Sequence, residues 1–421
     1  SSPGQGQSKA LLSMAADEFW AQGILDYLPE VNSNQRTFAG LAAFEASVQL
    51  DQSDPKRLFF FATLLYHAGR HEESERFYRQ VIDADPSCGY AYLELVLFLE
   101  SAGRREEARL LARRAIELRA RWSDEWQRPP IFVPGLTSKP WWRREDFPWT
   151  TDLENAYPDI KAEMLELFSS SRDAGHMPSS WVRVGDERAS QDGDIVAPGG
   201  EWREFLLYSA QDQSKSTANP EVLKIFPKTC ELLETVLPGA VAMAKIGVGE
   251  IILSAIAPGT RLTPHCASSN VRLTCHLGLV CPKGARVRVG AEWGTWEEGR
   301  CIFFDDSYEH EVANDGSGTR IVLLIRFWHP ELPAEEWLPT LNAGMEEYGA
   351  MLQRRVSPPA TDKVAALVAA AQKENSTNSS TGRTVRLKSA EEAAAVLKAD
   401  APDMAVNGQE LGLLEIQEDL Y

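Results

Sequence analysis

Two histidines in the second half of the chain could bind a metal ion. His265 lies at the start of a predicted strand, and His310 comes shortly after another predicted strand that ends in Phe303-Phe304. The two histidines are 45 residues apart, which is too far for the short ligand spacing of a zinc finger. This separation suits two ligands that come from different strands of a β-rich core.

The surroundings of His265 match a known iron site only in part. Non-haem Fe(II) oxygenases usually hold the metal with two histidines and one carboxylate. The carboxylate normally lies two residues after the first histidine, where this chain has Ala267. Spacing alone therefore leaves a metal site and two ordinary strand histidines both open. A zinc site that adds Cys266 is disfavoured, because adjacent strand residues point to opposite faces.

Basic residues indicate a pocket for an anion in the same region. Arg320 opens the apolar run 321–325, and a buried guanidinium needs a partner such as the distal carboxylate of 2-oxoglutarate. The alternative is an arginine at a strand end that points to solvent. Arg272 and His276 share a face of one predicted strand. With Thr274 between them they form a polar stripe, which indicates a ligand cavity.

Short strands must position these side chains. The second half of the chain contains short runs, mostly rich in β-branched and aromatic residues, that Gly, Pro and Asp separate. We predict strands over residues 202–208, 241–246, 251–256, 274–280, 285–289, 300–304 and 321–327. Helices are predicted over 153–169 and 220–237. Many short strands at close intervals favour a double-stranded β-helix, a form of jelly roll.

An internal repeat precedes this block. Residues 61–70 align with residues 95–104 at an offset of 34, and both segments end in Ala-Gly-Arg. A 34-residue period with glycine between two helices resembles tetratricopeptide repeats, whose helix hairpins bury their apolar faces by stacking. The region is either a groove that docks a peptide or partner, or an annex that stiffens the catalytic domain.

The predicted fold class is therefore α+β, with three regions. Residues 8–125 form an all-α region of tetratricopeptide-like repeats, and residues 138–345 form the β-helix catalytic domain. Residues 359–421 form a linker and tail, because a polar run rich in Ser, Thr and Asn follows residue 374.

Composition excludes some classes of partner. The formal net charge of −18 disfavours a nucleic-acid binder, which needs a basic surface. The chain has no uncharged apolar run of membrane-spanning length, so we expect no membrane span. The six cysteines include no CxxC pair, and we expect buried free thiols.

Several ordered segments resemble the aspartyl/asparaginyl β-hydroxylase family. The segments carrying the resemblance are Ala257-Pro258-Gly259-Thr260, Pro264-His265-Cys266, Asn270-Val271-Arg272-Leu273, His276-Leu277-Gly278-Leu279-Val280, Trp296-Glu297-Glu298-Gly299, Phe304-Asp305-Asp306-Ser307-Tyr308-Glu309-His310-Glu311-Val312 and Trp328-His329-Pro330-Glu331-Leu332. The resemblance covers about residues 138–335. Animal members of the family also carry tetratricopeptide-like helices before the catalytic domain.

The resemblance implies an Fe(II)- and 2-oxoglutarate-dependent dioxygenase. The family binds iron with two histidines and no carboxylate, so His265 and His310 match the ligands, and the small Ala267 fits the third position. The family hydroxylates the β-carbon of Asp or Asn in epidermal growth factor-like domains and releases succinate and CO2. The implied partner is a protein or peptide bearing Asp or Asn.

The resemblance also assigns the co-substrate site and a compartment. Arg320 and Ser254 match residues that hold the distal carboxylate of 2-oxoglutarate. His276 matches a residue beside it, and Arg272 lies on the same active-site strand. The implied compartment is the endoplasmic reticulum or secretory pathway, whereas the chain alone is equally compatible with a soluble cytoplasmic protein.

This chain departs from the family in the substrate pocket. Thr274 and Ile252 stand where animal members have an arginine and a lysine, and Tyr208 replaces a tryptophan. Loss of two cations weakens the grip on a carboxylate. Cys230 matches half of a family disulfide without an evident partner. Two alternatives stay open: a same-family oxygenase with another substrate, as in lipid A acyl-chain hydroxylases, or a repeat-based binding protein with a silent β-helix domain.

Overall fold

The computed structural model describes residues 3–33, 38, 40–169, 181–184, 195–209 and 220–377. The described chain forms two compact units. One unit comprises the residues up to Arg121 together with those from Tyr348 onward, and the other runs from Trp122 to Glu347. The domain boundaries drawn from the sequence stay a prediction, and residues 378–421 of the predicted tail lie outside the described residues.

Six helices come first along the described part of the chain, and most of its strands follow after residue 250. In chain order the helices are α1 (Pro3–Ser33), α2 (Leu41–Leu50), α3 (Pro55–His67), α4 (His71–Ala84), α5 (Gly89–Ser101), α6 (Arg105–Glu117), α7 (Thr150–Asn155), α8 (Tyr157–Ser169), α9 (Pro220–Ile225), α10 (Pro227–Val236), α11 (Pro238–Lys245), α12 (Trp337–Val356) and α13 (Asp362–Thr377). The strands are β1 (Trp141–Trp142), β2 (Val182–Arg183), β3 (Trp202–Tyr208), β4 (Ile251–Ile256), β5 (Arg261–His265), β6 (Arg272–Val280), β7 (Ala285–Val289), β8 (Glu292–Thr295), β9 (Cys301–Phe304), β10 (His310–Asn314) and β11 (Arg320–Trp328).

The first unit is helical in its described part. The hairpin α3–α4 is followed by the hairpin α5–α6 at the same spacing as the sequence repeat. Gly69 and Gly103 both have positive φ, +76° and +74°, which lets each hairpin turn after its first helix without a Cβ clash. Helix α13 packs against α1, where Lys363 Nζ lies 2.7 Å from an Asp17 carboxylate oxygen. The assignment of these hairpins to the tetratricopeptide class stays a prediction.

Two antiparallel sheets build the second unit. The major sheet has the order β1-β9-β6-β11-β4-β3-β2, and the minor sheet has the order β5-β10-β7-β8. Apolar residues of both sheets form one buried cluster, including Ile252 and Val322 from the major sheet and Val287 and Val312 from the minor sheet. The sheets therefore pack face to face in a jelly-roll-like arrangement.

Helices cover the outer face of the major sheet. A second apolar cluster joins alternate residues of β6 and β11, such as Leu273 and Leu323, to helices α7, α8, α10 and α11. Because strand side chains alternate between faces, the opposite set on β6 and β11 faces the minor sheet. That inward set includes Arg272, His276 and Arg320.

One strand prediction is wrong. Residues 241–246 were predicted to form a strand, but residues 238–245 form helix α11. Pro238 occupies the first turn, where its fixed φ starts a helix, and the following residues are mainly alanine and methionine, which are strong helix formers. The predicted helix over 220–237 is two helices, α9 and α10, and Phe226 separates them.

Candidate active site

His265 and His310 lie opposite each other in the minor sheet. They are Cα partners in the antiparallel pairing of β5 with β10, and their ring centroids are 4.2 Å apart. The Nδ1 of His265 is 2.7 Å from the carbonyl oxygen of Thr263, and the Nδ1 of His310 is 2.9 Å from that of Tyr308. A carbonyl only accepts, so each Nδ1–H donates and each Nε2 keeps a lone pair that can bind a metal.

The electrostatic environment keeps His310 neutral. Burial and the neighbouring His265 lower the pKa of His310 to about 3. A neutral imidazole is the form that ligates a metal ion. The second histidine is therefore ready to bind a cation without first losing a proton.

His265 and His310 are the two side-chain ligands that the described residues offer here. Within the described ranges, no group of three or more His, Cys, Asp or Glu side chains is arranged to hold a metal ion. Ala267 contributes only its backbone N–H, which donates to the Asp306 carbonyl oxygen at 2.8 Å. The Cys266 thiol is directed at the Trp126 carbonyl oxygen, 3.8 Å away. The donor set fits a two-histidine site that leaves the other coordination positions to small molecules.

A segment before the sheets clamps the loop that carries His310. We call residues 126–133 the clamp segment. Gln127 Nε2 donates to Asp305 Oδ2 at 3.0 Å, and the buried Arg128 Nη2 lies 2.6 Å from Glu309 Oε2. One buried hydrogen bond and one buried ion pair hold this loop in place.

The same clamp segment fixes the loop that follows His265. The Ile131 N–H donates to the Ser268 carbonyl at 2.9 Å. Asn270 pairs with the backbone of Val133 through both its amide oxygen and its amide nitrogen, each at 2.8 Å. One segment thus positions both histidine loops, and only the aromatic and proline content of the region marks it in the sequence.

A pocket of hydrogen-bond donors lies on the inward face of the major sheet. We call Ser254, His276, Trp296 and Arg320 the donor pocket. Arg320 is 2% exposed, and its Nε and Nη1 have no hydrogen-bond partner among the described residues. His276 is also buried, and its Nε2 likewise has none there. Ser254 Oγ accepts from Trp202 Nε1 at 3.0 Å, which leaves its own hydrogen to donate.

The donor pocket fits a carboxylate. Burial lowers the pKa of Arg320 to about 9, since a guanidinium without a counter-ion is costly in the interior. A bound carboxylate would supply the missing charge and accept from several donors at once. The predicted co-substrate residues Ser254, His276 and Arg320 are therefore brought to one inward face by the registers of β4, β6 and β11.

A second polar group lies toward the other end of the same face. We call Glu250, Arg272, Asp306 and Arg326 the mixed-charge pole. Arg326 is the Cα partner of Thr274, and its guanidinium lies 3.3 Å from Glu250 Oε1 and 3.5 Å from Asp306 Oδ2. Arg326 is six positions after Arg320 along β11, and six positions in a strand span about 20 Å between Cα atoms.

Charged groups of the mixed-charge pole interact electrostatically with His310. Burial raises the pKa of Asp306, but the Arg272 and Arg326 guanidiniums outweigh it and hold that pKa below its ordinary value. His310 interacts electrostatically with both Asp306 and Arg326, and also with His276 of the donor pocket. His310 is thus within electrostatic reach of both groups.

Ile252 and Tyr208, the other two residues of the predicted substrate pocket, lie in two different apolar clusters. Ile252 is fully buried in the cluster between the two sheets. The expectation that Tyr208 lines the substrate pocket is wrong, because Tyr208 belongs to the outer, helix-covered cluster and its hydroxyl bonds Glu234 at 3.0 Å. A register shift between Leu206 and Tyr208 turns it to that side. None of the six cysteines, Cys230 included, forms a disulfide bond within the described residues.

Comparison with known proteins points to the same family as the sequence motifs. Residues 154–330 match the family described as Aspartyl/Asparaginyl beta-hydroxylase. The chain is 34% identical to the human "Aspartyl/asparaginyl beta-hydroxylase" over 222 residues, which covers 52% of this chain and 26% of that protein. It is 30% identical to the human "Aspartate beta-hydroxylase domain-containing protein 2" over 215 residues, 50% of this chain and 53% of that protein.

The chain spans about half or less of the length of these curated relatives. A solved oxidoreductase of the 2OG-Fe(II) oxygenase family from Burkholderia pseudomallei is 12% identical, with a TM-score of 0.28, over 46% of this chain and 96% of that one. A TM-score this low indicates neither a shared fold nor a shared function. The sequence matches, in contrast, cover the strands that carry both histidines and the donor pocket. Residues 154–330 of the chain are therefore similar to the aspartyl/asparaginyl β-hydroxylase family.

Proposed function

We propose that this chain is an Fe(II)- and 2-oxoglutarate-dependent dioxygenase that hydroxylates the β-carbon of Asp or Asn residues in a protein substrate. The observation that carries the proposal is that a histidine pair and a donor pocket lie on sheets that face each other. His265 and His310 present two Nε2 lone pairs, and the donor pocket presents a buried guanidinium without a counter-ion in the described chain. Both features support the binding of a metal ion and of a dicarboxylate.

His265 and His310 would hold the iron. Their Nδ1 hydrogen bonds fix the ring orientations before the metal arrives, which lowers the entropy lost on binding. When bound, iron and 2-oxoglutarate would supply, together with O2, the chemistry that inserts one oxygen atom of O2 into a C–H bond, while the other oxygen atom enters the succinate that forms with CO2. The contribution of the chain is to bind and orient these groups.

The donor pocket would hold the distal carboxylate of 2-oxoglutarate. Arg320 neutralises its charge, and the Ser254 hydroxyl and His276 Nε2–H add hydrogen bonds. Trp202 and Phe304 line the buried surroundings. Their apolar rings exclude water, which strengthens each electrostatic contact in the pocket.

The mixed-charge pole would receive the substrate side chain. The family arginine is missing at Thr274, but Arg326 supplies a cation from the paired position on the next strand. Glu250 and Asp306 partly neutralise that cation. A pole with both donors and acceptors suits a carboxamide at least as well as a carboxylate. The helical repeats would present a surface to the rest of a protein substrate.

The test is mass spectrometry of peptides after incubation with the full chain, Fe(II), ascorbate and 2-oxoglutarate. Matched peptides that contain Asp, Asn or Ala at one position are compared, and we expect one added oxygen on the Asp or Asn residue only. Turnover of 2-oxoglutarate without peptide oxidation would favour the alternative of a family oxygenase with another substrate. No turnover at all would favour the silent binding domain.

A further inference from the structure

Trp296 contacts both charged and polar members of the donor pocket. Its Nε1 donates to His276 Nδ1 at 3.1 Å, and the Arg320 guanidinium carbon lies 4.6 Å from the centre of its ring. The indole and the His276 ring are nearly parallel, with an interplanar angle of 20° and centroids 6.0 Å apart, as an edge-to-edge hydrogen bond requires. One buried side chain therefore touches the two groups whose outer nitrogens have no partner in the described residues.

The indole N–H determines where His276 carries its hydrogen. Indole nitrogen only donates, so His276 Nδ1 must accept, and the neutral imidazole then carries its hydrogen on Nε2. Burial supports the neutral form, because it holds the pKa of His276 well below its ordinary value. With Nε2–H and the Arg320 N–H groups together, this wall of the pocket offers only donors.

The loop that carries Trp296 is fixed to the strand that carries His276. The Gly299 N–H donates to the Gly278 carbonyl at 2.9 Å, and Gly278 lies two residues after His276. A Cβ added at Gly278 would lie 2.3 Å from the Glu297 carbonyl oxygen, so only glycine allows this close approach. The backbone thus sets the distance between the indole and the imidazole.

We propose that Trp296 is the positioning residue of the donor pocket. Its N–H holds His276 in the Nε2–H tautomer, and its ring face holds the Arg320 guanidinium by a cation–π contact. Both groups then point their donors at one carboxylate of a 2-oxo dicarboxylic acid. The identity of that ligand rests on the proposed function, whereas the tautomer does not.

The test measures binding and tautomer separately, in the full chain. Trp296→Phe keeps a ring and removes the donor, and we expect the affinity for 2-oxoglutarate in the presence of Mn(II), measured by calorimetry without oxygen, to fall about tenfold. Trp296→Leu also removes the ring, and the expected loss is about a hundredfold. Mn(II) affinity without 2-oxoglutarate should stay unchanged in both variants, because His265 and His310 are not altered.

Trp293 offers a matched control. It lies three residues earlier, is 44% exposed, and stacks on the Arg286 guanidinium at 4.4 Å outside the pocket. Trp293→Phe removes a similar tryptophan from a similar arginine contact. Its affinity for 2-oxoglutarate should equal that of the wild type.

Nitrogen-15 NMR of histidine-labelled wild type reads the tautomer directly. We expect His276 to show a protonated Nε2 and an unprotonated Nδ1. The opposite tautomer, or wild-type affinity in Trp296→Phe, would overturn the role of Trp296, and the NMR result decides if that variant does not fold. Failure of the wild type with Mn(II) to bind 2-oxoglutarate would instead overturn the proposed function and, with it, the ligand class named here.

Discussion

His265 and His310 face each other as Cα partners across β5 and β10, with ring centroids 4.2 Å apart. The pairing explains how two residues 45 positions apart in sequence reach one point in space. Each ring is held by the backbone carbonyl two residues before it. The site is therefore organised by strand register and by main-chain hydrogen bonds, and it needs no third protein ligand to fix it.

Replacement of Arg320 by methionine should change stability and ligand binding in opposite directions. The apo protein should become more stable, by about 1–3 kcal/mol, because a buried cation without a counter-ion is removed. The affinity for 2-oxoglutarate should fall by about a hundredfold or more. Thermal unfolding of the apo protein and calorimetry with Mn(II) measure the two effects. Loss of apo stability in Arg320→Met would mean that Arg320 is satisfied within the protein.

The clamp segment should control metal affinity from a distance. Arg128→Met leaves the Glu309 carboxylate buried with one partner fewer, and we expect a loss of about 3 kcal/mol in unfolding free energy. The looser histidine loop should also weaken Mn(II) binding, by about tenfold. Arg143→Met removes an arginine whose ion pair with Asp146 is exposed, and it should change neither quantity much. Equal behaviour of the two variants would contradict the clamp.

Glu250 should set the preference between aspartyl and asparaginyl substrates. Glu250→Gln removes one of the carboxylates beside Arg326, so the mixed-charge pole becomes more positive and should favour a carboxylate. We expect the ratio of kcat/KM for Asp over Asn peptides to rise about tenfold, or about 1.4 kcal/mol. Glu335→Gln, at an exposed position, makes the same change in net charge as a control. An unchanged ratio in Glu250→Gln would mean that Arg326 does not face the substrate.

The second unit should lose stability in mild acid through His329. This buried ring bonds the Thr137 carbonyl at 3.1 Å, and its Nδ1 accepts from the Glu331 N–H at 3.3 Å. Burial lowers the pKa of His329, so its contribution is present above the unfolded pKa of about 6.5 and is lost as pH falls toward the folded pKa.

The expected slope is at most about 1.4 kcal/mol per pH unit for this histidine. Denaturant unfolding of the wild type and of His329→Gln at several pH values below 7 should show a smaller slope for the variant. Glutamine keeps an amide donor near the Thr137 carbonyl, so the variant should still fold. Burial also lowers the pKa of His276, so unfolding of the variant should keep a residual dependence on pH. Identical slopes would show that His329 does not titrate on unfolding.

Much of the β-rich unit could be predicted from the sequence. The predicted strands over 202–208, 251–256 and 285–289 coincide with β3, β4 and β7, because alternating or continuous apolar runs between turn residues are local signals. The failure at 241–246 has a local cause as well. Val241 and Ile246 suggested a strand, but the proline at the helix start and the alanines between them decided the outcome.

The members of the candidate site could be proposed from the sequence, but their contacts could not. Sequence pattern named Arg320 and His276, and strand periodicity placed Arg272 and His276 on one face. The contact of Trp296 with both groups depends on a loop pinned at Gly278. The position of Arg326 opposite Thr274, on which the proposed compensation rests, depends on the register between β6 and β11. The hydrophobic pattern indicates which face of each strand is buried, but it does not name the residues that pair across strands far apart in sequence.

The most direct test of the central claim is succinate formed from 2-oxoglutarate by the full chain in the presence of Fe(II), compared between the wild type and His310→Ala. We predict iron-dependent succinate from the wild type and a loss of at least about a hundredfold in the variant, with both proteins folded by thermal unfolding. Equal succinate formation by the two proteins, or none from the wild type with Fe(II), would contradict an iron site at His265 and His310.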